Sequence, residues 1–153
     1  MPAESASAAA LARQLMWQAR TAALATLDDG GGPFASYVTT APAADGSPLL
    51  LLSRLAAHSR NLRRDQRASL LFVREPDGDA ETMAALRLTL TGEVLPDSDP
   101  DSERLFLAAH PDAARYSDFA DFSFHRFSIA AGHLVAGFGQ IVGLAPEALL
   151  DNA

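Results

Sequence analysis

The first half of the chain shows one helical pattern followed by three strand patterns. Leu11 and Leu15 recur at a helical interval within residues 7–20, a segment that begins at Ser7, a residue type that caps helix amides. Three apolar segments follow, separated by the Gly-rich and Asp-Gly sequences of tight turns: residues 21–29, 33–41 and 48–53. The last of these, "PLLLLS", is apolar without a break, which is typical of a strand buried on both faces. The pattern predicts an opening helix and a three-stranded meander.

The second half predicts further strands and one longer helix. "ASLLFVRE" and "LRLTLTGEVL" are strand-like, and the second alternates Leu with Arg or Thr, as in a strand with one face in water. A helix is predicted with Asp99 as its cap and Pro100 as its first residue, ending near Pro111. Two final strands, "DFSFHRFSI" and "HLVAGFGQIVGL", are separated by "AAG", which we interpret as a turn.

Strands that follow one another as hairpins at intervals of about ten residues indicate an antiparallel barrel. The predicted fold class is therefore mostly β with short α-helices. At 153 residues and 48% hydrophobic, the chain is expected to form a single domain over residues 1–153. The first residues lack the features of a signal peptide, and no apolar run reaches the roughly 20 residues of a membrane helix. We expect a cytoplasmic protein without a membrane partner.

Charge and composition exclude several kinds of chemistry. The net charge of −7 argues against a nucleic-acid partner, because phosphate-backbone binding needs an extended basic face. The absence of Cys and Lys excludes disulfides, thiolate catalysis and Schiff bases. The four histidines show no pair at the i, i+4 spacing of a helical zinc site, so no dedicated metal site is expected.

The arginines are concentrated between two apolar segments, in "SRLAAHSRNLRRDQR". A strand is predicted to end at Ser53 and a short helix to run from Ser59 to Arg64, so that the free amides of its first turn face the end of the strand. The residues before and within that turn offer a mixture of groups suited to a phosphate: His58, Ser59, Arg60 and Asn61. The pattern alone is equally compatible with a solvated basic helix.

Five segments carry a family resemblance that spans nearly the whole chain: "TAALATLD", "PFASYV", "LSRLAAHSRNLRRDQRASLLF", "HPDAARYSDFADFSFHRF" and "HLVAGFGQI". Together they resemble the pyridoxamine 5′-phosphate oxidase-like superfamily of FMN-binding split barrels, and within it the haem-utilisation subgroup. The resemblance implies a six-stranded antiparallel split β-barrel, Greek-key-like in its connections. It also implies a homodimer that binds FMN at the subunit interface.

The resemblance further implies a set of cofactor contacts. The β-strand residues Ser36, Tyr37 and Val38 would border the isoalloxazine ring. The FMN phosphate would be held by the Arg-rich segment, through Ser53, His58, Ser59, Arg60 and Asn61. The terminal "GFGQ" would face the cofactor of the partner subunit through Phe138 and Gln140. Many members of the superfamily carry Lys at the position of His58, so Arg60 is the expected phosphate cation.

The main functional prediction is an FMN-dependent oxidoreductase that transfers hydride or electrons to an unidentified small-molecule substrate. No catalytic side chain is assigned, because the flavin would carry the chemistry. The chain ends "GLAPEALLDNA", without the Arg and aromatic residues of true pyridoxamine-phosphate oxidases, so that substrate is not expected. One alternative is a haem-binding or haem-utilisation protein on the same barrel, with His133 or His58 as iron ligand. Another is a non-catalytic flavin-binding dimer.

Overall fold

The computed structural model of the protein describes residues 2–137 and 139–151. Its strands are β1 (Thr21–Leu27), β2 (Pro33–Pro42), β3 (Pro48–Ser53), β4 (Arg67–Arg74), β5 (Leu86–Pro96), β6 (Phe122–Ala136) and β7 (Ile141–Leu144). Its α-helices are α1 (Pro2–Gln18), α2 (Ala57–Arg64), α3 (Pro100–Ala109) and α4 (Pro146–Leu149), with short 3₁₀ turns at Thr82–Ala84 and Pro111–Arg115. In these ranges no helix combines the length and the apolar character needed to span a membrane.

The strands form one antiparallel sheet that closes on itself. Neighbouring strands follow the order β3-β2-β1-β4-β5-β6-β7, and β3 also pairs with β6, from Leu49 opposite Arg126 to Ser53 opposite Phe122. That pairing closes six strands into a barrel, and β7 pairs with the last residues of β6. The predicted mostly β class and the six-stranded antiparallel barrel are confirmed, with one additional strand.

The leucines of β3 contribute to two hydrophobic cores. Leu50 and Leu52 belong to the barrel core, whereas Leu49 and Leu51 pack in a second cluster with Phe106 of α3. The prediction that this strand is buried on both faces is confirmed. The other barrel strands alternate, and their inward leucines are fully buried: Leu24, Leu70, Leu88, Leu90 and Leu134.

The predicted turn at "AAG" is wrong, because β6 continues through it as a single strand. Gly132 in that segment is buried, and a Cβ there would lie 2.8 Å from Leu149 Cδ1. Its small size therefore permits the close approach of α4 and does not bend the chain. The chain turns after β6, where Gly137 and Gly139 have φ values of +73° and +81°.

The helices begin close to the predicted positions. α3 begins at Pro100, and the Asp99 side chain accepts a hydrogen bond from the Asp101 N–H over 3.0 Å, as predicted for its cap. α1 begins at Pro2, earlier than the predicted start at residue 7, and α2 begins at Ala57, earlier than the predicted start at residue 59.

Candidate functional site

Helix α2 packs against β1 and β2 at one end of the barrel. Its buried face is formed by Ser59, Asn61 and Leu62, and the Asn61 Nδ2–H donates to Thr26 Oγ1 of β1 over 3.0 Å. The residue before the helix is Ala56, which has no side-chain group to cap the first turn. The hydrogen bond from Asn61 and the burial of Leu62 therefore fix the helix on the barrel and place its first turn at the barrel end.

Ser36 and His58, both predicted cofactor residues, meet at this end of the barrel. Ser36 Oγ of β2 and His58 Nδ1 of α2 form a hydrogen bond of 3.0 Å. His58 Nε2 is buried and has no hydrogen-bond partner among the described residues. Burial of the ring, and secondarily the nearby His125, lower the pKa of His58 from its ordinary value of 6.5. The imidazole is therefore uncharged at neutral pH and supplies no cation for a phosphate.

His125 reaches the same region from β6. Its Nδ1–H donates to the Ser123 carbonyl over 3.2 Å, which leaves the Nε2 lone pair available to accept a hydrogen bond or to bind a metal. Burial lowers the pKa of His125, against smaller opposing contributions from the Ser123 carbonyl and Asp97. Both imidazoles at the barrel end are thus uncharged at neutral pH.

A cleft of about 380 Å³ adjoins this end of the barrel. Apolar side chains form much of its lining: Leu62, Val94, Pro96, Ala120 and Phe122. The exposed Arg54 and Arg63 also line the cleft, as does His125. The Oγ of Ser59, another lining residue, is buried without a hydrogen-bond partner among the described residues. We refer to this feature as the barrel-end cleft.

The residues predicted to hold a phosphate are largely engaged with other protein groups. Ser53 Oγ donates to Asp121 Oδ2 over 3.2 Å, and Asn61 donates to Thr26. The Arg60 guanidinium donates to a backbone carbonyl over 2.7 Å. The carboxylate of Asp121 at the end of β3 repels an anion placed there. The role of these residues in cofactor binding stays a prediction.

The remaining predicted cofactor residues lie on other faces of the molecule. Tyr37 is 78% exposed on the outer face of β2, whereas Val38 belongs to the barrel core. Gln140 is exposed in the turn between β6 and β7 and lines a separate groove beside α1. Phe138 lies outside the described residues. Of the predicted β2 triplet, Ser36 is thus the residue that joins the barrel-end site.

Sequence reasoning missed His125 as a member of this site. The residue joins α2 because β3 pairs with β6, which sets His125 opposite Leu50. A single histidine within a strand pattern does not indicate which strands will pair, and so does not predict that β3 and β6 close the barrel. The pairing of β3 with β6 places the start of β6 beside the Arg-rich segment that follows β3, and knowledge of this pairing is the signal that would identify His125.

The sequence profile of a protein family described as "CREG, beta-barrel" matches residues 3–148. The chain belongs to the CREG β-barrel family. A relative of this CREG β-barrel protein is the non-canonical chloroplastic haem oxygenase HOZ of Arabidopsis thaliana, which is 39% identical over 110 residues. The match covers 70% of this chain and 33% of the relative, so the chain spans about a third of that relative's length.

Two solved structures are similar to this CREG β-barrel chain. A haem-binding protein from Mycobacterium smegmatis is 32% identical, with a TM-score of 0.85, over 93% of this chain and 59% of that chain. A pyridoxinephosphate oxidase-family protein from Clostridium acetobutylicum is 13% identical, with a TM-score of 0.71, over 94% of this chain and 98% of that chain, which shows the fold alone. The predicted resemblance to the oxidase-like barrels and their haem-utilisation subgroup is confirmed. The relatives favour the haem alternative over the FMN prediction.

The barrel end of this CREG β-barrel protein offers groups that suit a haem. The barrel-end cleft joins an apolar lining to the His125 imidazole, whose Nε2 lone pair suits iron, and to Arg54 and Arg63, which suit carboxylates. Asp121 also lines the cleft, and its carboxylate disfavours a propionate placed beside it as much as a phosphate. Of the residues predicted for the phosphate, Ser53, Arg60 and Asn61 each donate a hydrogen bond to another protein group, whereas Ser59 Oγ has no partner among the described residues. The apolar lining, the imidazole and the two arginines are the groups that would hold the ring, the iron and the propionates of a haem.

Proposed function

We propose that this chain binds haem in the barrel-end cleft and serves haem utilisation. The observation that carries the proposal is the combination of an apolar lining with an uncharged imidazole and two arginines. His125 would face the iron, and Arg54 and Arg63 would pair with the propionates. Bound haem would supply redox-active iron, and the chain would hold it, orient it and cover its apolar faces.

The known relatives support haem as the class of ligand. HOZ, at 39% identity, is a haem oxygenase, and the Mycobacterium smegmatis protein, at 32% identity, binds haem. Haem breakdown is a second candidate function, favoured by the activity in the name of HOZ. A reductant added in air to the haem-loaded protein tests it, because breakdown would abolish the Soret band.

We further propose that two copies associate through the outer face of the barrel, beside the cleft. Five residues that pair with one another across neighbouring strands form a row on this face, from β2 to β6: Tyr37, Ala23, Leu71, Thr89 and His133. Tyr37 of β2 and Leu71 of β4 lie on either side of β1 and are 78% and 38% exposed, and exposed apolar residues grouped on one face are typical of a protein interface. Arg87 on the same face has a buried Nε without a hydrogen-bond partner among the described residues, which a second copy could supply.

Titration of the purified protein with haem and, separately, with FMN tests the main proposal. We expect haem to give a saturating Soret change and FMN to give no change in flavin fluorescence. Replacing both Arg54 and Arg63 by Ala should weaken haem binding about fivefold or more, since an exposed ion pair contributes up to about 1 kcal/mol. Replacing Arg74 and Arg104 by Ala is the matched control, because neither lines the cleft.

Saturating FMN binding without haem uptake would refute the proposal and restore the flavoprotein prediction. Uptake of neither ligand would refute the haem proposal and both flavin-binding predictions. An equal loss of haem affinity in the two double variants would show that the propionates are attracted by the net charge of the protein and not by the arginines of the cleft.

A further inference from the structure

We infer that His125 is the protein ligand of the haem iron, and this inference rests on the haem-binding function proposed above. No sequence pattern distinguishes this residue from the other three histidines. Its position in the closed barrel and the hydrogen bond of its ring distinguish it from them.

The ring of His125 is held in the arrangement that a metal-binding histidine needs. Its Nδ1–H donates to the Ser123 carbonyl over 3.2 Å. A ligating histidine generally donates its second N–H to a carbonyl or carboxylate, which fixes the tautomer and the orientation of the ring. The Nε2 atom then carries the lone pair that a metal ion requires.

The backbone that carries His125 is rigid on both sides. β6 pairs there with β3, where His125 lies opposite Leu50, and with β5, where it lies opposite Pro96. A ligand on a strand bonded to two neighbours is held more precisely than one on a loop. The side chain is among those that line the barrel-end cleft, so a haem held in the cleft would lie next to it.

The other three histidines are less suited to ligate iron in this cleft. Both ring nitrogens of His110 are within hydrogen-bond distance of protein groups, Nε2 of the Thr40 carbonyl at 2.7 Å and Nδ1 of the Arg20 guanidinium at 3.4 Å. His58 Nε2 is unpartnered but buried, so iron could reach it only after other atoms moved. His133 is exposed on the outer face of β6, away from the cleft lining.

A cavity variant with added imidazole tests the inference. Haem-loaded wild type should show the absorption and electron paramagnetic resonance spectra of histidine-ligated haem. His125→Gly should lose that signature and at least about tenfold in haem affinity, and free imidazole should restore the signature. His133→Gly is the control, because His133 does not line the cleft, and its spectra should match those of the wild type.

His125→Gln is a second variant that keeps a polar side chain of similar length in the cleft, in case the glycine variant fails to fold. It should also lose the histidine signature while its circular dichroism stays that of the wild type. An unchanged histidine signature in both His125 variants, or its loss in His133→Gly, would overturn the inference while haem binding itself stands. A wild type that takes up no haem would refute the proposed function, and the inference with it.

Discussion

At the scale of single residues, the buried imidazole of His58 should make the protein sensitive to mild acid. Its pKa in the folded protein lies below the ordinary value of 6.5, so below that pH the unfolded chain binds a proton that the folded ring resists. The contribution of His58 to the free energy of unfolding should therefore be constant above a pH of about 6.5, fall as the pH drops from about 6.5 to the folded pKa, and level off below it. Urea unfolding of the haem-free protein at a series of pH values measures this.

His58→Gln isolates the contribution of that ring. The variant should show a shallower loss of stability between a pH of about 6.5 and 5, with the remaining slope assigned to His125, whose pKa is lowered in the same direction. An identical pH dependence in wild type and variant would show that His58 does not resist protonation in the folded state.

The sequence predicts two residues that the fold brings together. Ser36 is predicted from family resemblance and His58 from both the Arg-rich pattern and the resemblance, and their side chains are hydrogen bonded although they lie 22 positions apart. The pattern of the Arg-rich segment did not reveal that Asn61 would bond Thr26 or that Ser53 would bond Asp121. Those partners, Thr26 of β1 and Asp121 just before β6, lie far away in the sequence, and a local pattern does not identify them.

At the scale of elements, the contact between β5 and β6 depends on Gly92. The register of the two strands shifts between Thr91 and Gly92, and a Cβ at Gly92 would collide with the carbonyl oxygen of Ser128. Gly92→Ala should therefore destabilise the protein by about 1–3 kcal/mol, the usual cost of overpacking. Urea unfolding measures the difference.

Gly143→Ala is the matched control, because a Cβ there would meet nothing within 4 Å. Its stability should stay within about 0.5 kcal/mol of the wild type. Equal stability of Gly92→Ala and the wild type would mean that β6 can move away from β5 at little cost, contrary to the tight pairing described above.

Elements with local chemical signals were predicted well, and those that depend on tertiary contacts were not. The uninterrupted leucines of β3 and the Asp-Pro start of α3 each specify their element within a few residues. The glycine in "AAG" led to the wrong prediction of a turn, because glycine occurs both where the chain turns and where another residue packs closely against the backbone. At Gly132 the neighbour is Leu149 of α4, which the local sequence does not reveal.

At the scale of the whole molecule, the spacing of the strands predicts an antiparallel barrel, and the resemblance implies its six strands, but neither identifies the strand pair that closes it. Strand patterns predicted hairpins, but the pairing of β3 with β6 joins segments separated by two helices and two strands. That closure brings His125 to α2 and so creates the barrel-end cleft. The second subunit was likewise implied by resemblance alone.

The proposed dimer can be tested by placing a charge on the outer face. Leu71→Glu should convert the dimer into a monomer in gel filtration with light scattering, because the carboxylate would be buried in the interface without a partner. Leu95→Glu is the matched control, since Leu95 is 37% exposed against 38% for Leu71 and does not belong to the proposed row. A monomeric wild type, or dissociation by both variants alike, would contradict the proposed interface.

Retention of haem through gel filtration is the direct test of haem binding by this chain. Purified protein is mixed with excess haem and separated while the protein absorbance, the Soret absorbance and the mass are recorded together. We predict that the Soret absorbance elutes with the protein at the mass of a dimer. A colourless protein peak, with all the haem eluting separately, would contradict the claim that this chain binds haem.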